Sequence, residues 1–142
     1  MRFWDSSALV PLLIRQEASE AVHRSLEEDP VVCAWWGTPV ECTSAVARIE
    51  REGVLAADAA RAARSRLDAL AAAWHEVQPS EAVRRAARRL LGLHPIRALD
   101  ALQAAAAIVL AEHDPTTLVV VCLDDRLTEA LRREGFRVQV PG

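Results

Sequence analysis

The chain has no lysine: all 17 of its basic side chains are arginine. A mechanism that depends on a catalytic lysine is therefore excluded. Aromatic residues amount to only 4 % of the sequence. Cysteine is sparse as well, and Cys33, Cys42 and Cys122 are odd in number and show no CxxC spacing. They read as buried, reduced thiols of a cytosolic protein rather than a disulfide framework. An excess of positive charge is also missing. With a net charge of −3 the chain exerts no global attraction on nucleic acid, so such a partner would be held by local arginines and by metal. The N-terminus carries one arginine and a short apolar stretch broken by Pro11, which fits neither a signal peptide nor a membrane span. A cytoplasmic protein without a membrane partner is expected.

The 142 residues contain no repeat, linker or low-complexity tract and read as one domain spanning 1–142. A chain of this size buries roughly 68–70 % of its unfolded surface and needs no structural metal. Hydrophobic residues make up 51 %, much of it alanine, which favours helices. Val31–Trp36 and Leu118–Leu123 are continuous apolar runs, as buried parallel strands require. Short strands are also expected near Phe3-Trp4, His75–Gln78 and Phe136–Val140. Helical patterns fill the intervals: 6–14, 18–28, 38 to about 53, about 56–73, 80–91, 95 to about 112 and from near 126 to 133. Ser80 caps one helix and Gly92 ends it, while Gly135 ends the last. The alternation predicts an α/β fold with a mostly parallel sheet of five strands and helices on both faces. In such sheets ligands bind beyond the carboxyl ends of the strands, where strand order reverses.

Four carboxylates stand where that crevice would form. Asp5 follows the first strand and opens Asp5-Ser6-Ser7; it reads either as a helix cap or as a cation ligand, with Ser7 the alternative cap and Ser6 a supporting hydroxyl. Glu41 lies in Thr38-x-x-Glu41, a capping-box spacing that explains it locally. Asp100 interrupts an apolar helix in which Arg97, Asp100 and Gln103 are the only polar residues from Ile96 to Ala111. Spaced by three, they share one side. An unpaired carboxylate there is costly, so it needs an ion pair with Arg97, a cation or a cleft. Asp124 and Asp125 compete: one caps the helix that follows, the other points into the crevice, and Asp124 is nearer the strand end. Clustered acids repel unless protons or a cation intervene, and hard divalent cations prefer oxygen ligands.

Four segments in order resemble the PIN domain, specifically the VapC-type toxins of toxin–antitoxin pairs. They are Phe3-Trp4-Asp5-Ser6-Ser7-Ala8-Leu9; Pro39-Val40-Glu41-Cys42-Thr43-Ser44-Ala45 with Arg48; Ile96 to Gln103 around Asp100; and Leu123-Asp124-Asp125-Arg126-Leu127 with Ala130, Gly135 and Phe136. The resemblance implies a PIN-like fold with the first and fourth strands adjacent. It implies that Asp5, Glu41, Asp100 and Asp124 form the acidic site of a Mg²⁺- or Mn²⁺-dependent endoribonuclease, supported by Ser6 and Ser44, with Asp125 beside it. RNA as substrate, a homodimer and a cognate VapB-type antitoxin are implied in the same way. The family often has Thr or Ser two residues before the last aspartate. Here Cys122 stands in that place, so a hydroxyl role is lost.

Rival readings fit less well. Receiver-type phosphoacceptors set a lysine opposite their acids, and aspartyl phosphatases show Asp-x-Asp after the first strand, where this chain has Ser7. The non-enzymatic alternative is a catalytically inactive PIN-like interaction module whose acids only cap helices. His23, His75, His94 and His113 lack ligand spacing. Trp35 and Trp36 read as packing around their strand, and Arg84, Arg85, Arg88 and Arg89 as a solvated helix face.

Overall fold

A computed structural model describes all residues, 1–142. Five strands form one all-parallel sheet: β1 (Arg2–Trp4), β2 (Val32–Trp35), β3 (His75–Val77), β4 (Val119–Val121) and β5 (Arg137–Gln139). Their order is β3-β2-β1-β4-β5. The chain builds outward from β1 to β3, then returns to pair β4 on the other side of β1. Seven helices cover the faces: α1 (Ser6–Leu13), α2 (Ser19–Glu28), α3 (Thr38–Arg51), α4 (Ala57–Ala73), α5 (Glu81–Leu93), α6 (Ala98–Leu110) and α7 (Asp125–Arg133). No helix is long and apolar enough to cross a membrane.

Strict alternation sends successive strand residues into two separate cores. Phe3, Cys33, Trp35, Val120 and Cys122 enter the core formed with α5, α6 and α7. Trp4, Val32, Ala34 and Val121 enter the one formed with α1, α3 and α4. Both faces of the central strands are thus buried, which is why they read as unbroken apolar runs. Ala101 and Ala104 to Ala107 on α6 are all essentially inaccessible. Side chains this small let α6 lie close against the sheet and bring its first turn to the carboxyl edge of the strands.

Several local expectations are corrected. α5 begins as expected, with the Ser80 hydroxyl accepting from Val83 N at 3.2 Å, but it runs through Gly92 to Leu93. Pro95 sets that boundary, because the residue before a proline is driven out of the helical region; His94 accordingly adopts φ −130°, ψ 147°. Gly135 does end α7 in the left-handed region, at φ +97°. Trp35 is buried as expected, whereas Trp36 is 53 % exposed at the carboxyl edge of β2. Arg85 and Arg88 have no ion-pair partner, Arg84 pairs with Glu81 and Arg89 reaches Glu134 across to α7. That helix face is not purely solvated.

Gly37, just before α3, is required by close approach rather than by its backbone angles. A Cβ there would stand 2.6 Å from Nε1 of the buried Trp35 ring. Gly37→Ala is expected to lower the unfolding free energy by about 1–3 kcal/mol, the cost of overpacking. Urea denaturation of the two proteins measures it, and coincident transitions would refute the steric argument.

Candidate active site

Strand order reverses between β1 and β4, and the parallel sheet places helix N-termini over that edge. Asp5 leaves β1 directly into α1, with its backbone N–H held by Val121 O at 3.0 Å. Asp124 leaves β4 into α7. Glu41 lies in the first turn of α3 and Asp100 in the first turn of α6. All four line one cleft of about 360 Å³, together with Ser6, Ser7, Ser44, Gln16, Arg48 and Leu99.

Asp5 is the N-cap of α1. Its Oδ2 accepts from Ser7 N at 3.1 Å, from Ser7 Oγ at 2.5 Å and weakly from Cys122 Sγ at 3.7 Å. Ser7 Oγ in turn accepts from Leu123 N at 2.9 Å, tying α1 to the exit of β4. Asp124 caps α7 through Oδ1, which accepts from Leu127 N at 2.8 Å. Asp100 Oδ2 accepts from Arg97 N at 3.3 Å and closes the N-terminus of α6; no ion pair with the Arg97 side chain forms. Asp5 Oδ1, Asp100 Oδ1 and Asp124 Oδ2 have no hydrogen-bond partner in the protein, and none of them is sealed away from solvent. One oxygen of each aspartate fixes a helix end while the other is left for the cleft. Capping and ligation, alternatives at the level of sequence, are compatible here.

Glu41 behaves differently. The capping box with Thr38 does not form: the helix starts one residue earlier, after Gly37, and has no side-chain cap. Glu41 instead accepts from Ser6 Oγ at 3.2 Å and from Gln103 Nε2 at 2.8 Å. Long-range partners on α1 and α6 replace the local one.

Burial is the main force on these groups. It raises the Asp5 carboxyl above its ordinary range, against the two Ser7 hydrogen bonds and with help from the negative Asp100 and Asp124. Glu41 is pushed up to about 7, by burial first and by the Asp5 and Asp100 charges, while Gln103 and Ser6 oppose the shift. Asp100 is raised by burial too, against the Arg97 backbone bond. Burial likewise lifts the Cys122 thiol to about 12, so it stays neutral beside Asp5.

None of the four acids has an ion-pair partner. The donor set fits a hard divalent cation in kind: oxygen only, anionic and lacking a counter-charge. It is not a closed cage, since no three His, Cys, Asp or Glu side chains converge on one point. The caps draw Asp100 and Asp124 toward their own helices. An open set suits Mg²⁺, which takes few protein ligands and keeps its waters.

Of the sequence candidates, Asp5, Ser6, Glu41, Ser44, Asp100 and Asp124 share the cleft, and Asp125 lies outside its lining, exposed on the first turn of α7. Asp124 takes both roles that were divided between the two aspartates, and Asp5 rather than Ser7 caps α1. Two residues gained importance only in three dimensions. Arg48 is the one cationic side chain on the cleft, seven residues after Glu41 and so two turns along the same helix face. Gln103 was visible as a polar interruption, but its partner is 62 residues away.

Comparison with known proteins agrees on the fold. No family model matches the chain, and no curated protein matches it. A solved structure of FitAcB from Neisseria gonorrhoeae matches with TM-score 0.70 at 20 % identity, covering 99 % of this chain and 98 % of that one. A toxin–antitoxin complex from Klebsiella pneumoniae gives TM-score 0.67 at 13 % identity over 100 % and 98 %. VapBC2 from Rickettsia felis, bound to a DNA fragment from their promoter, gives 0.66 at 14 % over 97 % and 96 %. All three matches span nearly the whole of both chains, and at these identities they show the fold. The expected PIN-like α/β fold, with its five-stranded parallel sheet, is the fold observed.

The raised Glu41 carboxyl makes stability depend on pH. Between 4.5, its ordinary value, and about 7, the folded state retains a proton that the unfolded state has lost. The folded state binds more protons there, so its stability falls as pH rises through that window. Glu41→Gln, which stays neutral, should gain on the native protein from pH 5 to pH 8 by about 1–2 kcal/mol, allowing for solvent screening of a half-buried group. Denaturant melts in EDTA at the two pH values give this difference; a pH-independent one would contradict the assignment.

Proposed function

We propose that this protein is a Mg²⁺- or Mn²⁺-dependent endoribonuclease toxin of the VapC type, hydrolysing RNA phosphodiesters at the acidic cleft. One observation carries the reading. Four carboxylates from four helix N-termini line one cleft without a cationic partner, and three of them keep a free oxygen. A cation held there supplies activation of water for in-line attack and relief of charge at the leaving oxygen. The residues divide the remaining work. Asp5, pinned by Ser7 at the end of β1, is the fixed reference, and Asp100 and Asp124 present their free oxygens from the starts of α6 and α7. Ser6 orients Glu41. Arg48 meets a substrate phosphate at the rim, and no covalent protein intermediate is needed. Single-stranded or looped RNA is the substrate that a small open cleft admits. In this reading the chain is a single cytoplasmic domain that forms a homodimer, with a cognate VapB-type antitoxin covering the cleft.

A second reading, an inactive PIN-like module that only binds a partner, has one observation in its favour: the acids already cap helices, and no three of them converge into a ready ligand set. The two readings differ in cation binding. Titration with Mn²⁺ should show saturable binding that Asp5→Asn and Asp100→Asn each weaken. The same substitutions are expected to reduce Mg²⁺-dependent cleavage of single-stranded RNA by at least about 100-fold, more than loss of an outer-sphere partner costs, with the far-UV circular dichroism unchanged. Full activity of both purified variants would defeat the proposal, and absence of any Mn²⁺ binding by the native chain would favour the inactive module.

A further inference from the structure

Gln103 is 1 % exposed, an amide set within the alanine run of α6. Its Nε2 donates to Glu41 Oε2 at 2.8 Å and to Thr38 Oγ1 at 3.0 Å, so its hydrogen bonds both go to α3. Its Oε1 is buried with no partner. A sealed, unpaired carbonyl oxygen opposes folding, and an apolar side chain of similar volume would fill the space without that penalty. The amide carries that cost alongside two donated bonds, one to the buried Thr38 hydroxyl and one to a carboxylate.

What the amide does is set a carboxylate. Glu41 is bracketed by two neutral donors, the Ser6 hydroxyl from α1 and the Gln103 amide from α6. Neither cancels its charge, so the bracket orients Glu41 and leaves its anionic form available to a cation. Gln103 also lies one turn beyond Asp100 on the same helix. The helix that presents Asp100 therefore also holds Glu41, and one rigid element links the placement of both acids.

We infer that Gln103 is a positioning residue, whose amide, braced on Thr38, holds Glu41 in place for cation binding in the cleft. The inference rests on the reading of that cleft as a metal site. It predicts a loss of metal affinity that runs through Glu41. Gln103→Met keeps the volume and removes the donors; it should weaken Mn²⁺ binding about 10–100-fold, the usual effect of losing a ligand's hydrogen-bond partner, with the far-UV circular dichroism unchanged. Gln103→His, which retains a ring N–H, should recover part of the affinity. Native-like Mn²⁺ affinity in Gln103→Met overturns the inference, as does an equal loss when Glu41 is already replaced by Gln, the mark of a residue that does not act through Glu41. If the methionine variant does not fold, Thr38→Val, which removes only the brace, decides: weaker Mn²⁺ binding by the folded variant supports the role and native-like binding overturns it. A native chain that binds no Mn²⁺ fails the metal reading instead. The link is then read from the Gln103 side-chain amide resonances: displacement in Glu41→Ala supports the clamp, and unmoved resonances overturn it.

Discussion

In an all-parallel sheet every strand ends on the same edge, and each helix that follows a strand starts there. In this protein that constraint brings the N-termini of α1, α3 and α7 to the edge where strand order reverses between β1 and β4, and α6, which leads back toward β4, starts at the same cleft. Helix N-termini carry partial positive charge and unsatisfied N–H groups, so they favour anions. Asp5, Glu41, Asp100 and Asp124 each sit at or within the first turn of one of these helices. Four like charges can share a small volume because four dipoles point at it. The dipoles compensate only in part: burial still raises Asp5, Glu41 and Asp100. The remainder is the electrostatic demand that a cation would meet.

The caps explain how the acids are held without being consumed. A carboxylate has two oxygens, and an N-cap needs one. Asp5, Asp100 and Asp124 each lock a backbone N–H with one oxygen and keep the other unpartnered. The lock removes rotamer freedom that a ligand would otherwise lose on binding. Asp5 goes furthest, since Ser7 donates to it twice and also ties α1 to the exit of β4. The hydroxyl that donates to Asp5 is thus Ser7 on α1. The thiol, kept neutral by burial, contributes only a long contact at 3.7 Å.

Much of this was legible in the sequence where a single physical rule governs. Val31–Trp36 and Leu118–Leu123 read as strands because both faces are buried, and Ser80 and Gly135 acted as their chemistry predicts. The placement of Asp5, Asp100 and Asp124 at element ends followed from the same punctuation. Legibility failed where tertiary partners outbid local ones. Thr38-x-x-Glu41 has the spacing of a capping box, yet Ser6, 35 residues away, and Gln103, 62 residues away, take the carboxylate instead. Gly92 looked like a helix end, but Pro95 moved the boundary. Trp36 is apolar and adjacent to a buried partner, and only the position of the strand end reveals that nothing covers it. A sequence shows which residues have unmet needs more readily than which distant residue meets them.

The balance of charge also orders events at the cleft. The chain is net negative, the cleft is lined by four acids, and Arg48 is its only cation. A polyanion approaching the cation-free cleft meets repulsion that one exposed guanidinium offsets only weakly, and salt screens that attraction further. In the proposed reading a divalent cation would offset part of that negative charge, so affinities for cation and for a phosphodiester would be coupled and each would raise the other by the same factor. Such a cation would also relieve the burial strain on Asp5 and Glu41, because it would stabilise their charged forms and bind only the folded arrangement. Folding, metal loading and capture of an anionic substrate would then draw on one electrostatic imbalance. Gln103 and Ser7 matter because they maintain that imbalance in a fixed geometry, donating to carboxylates without neutralising them.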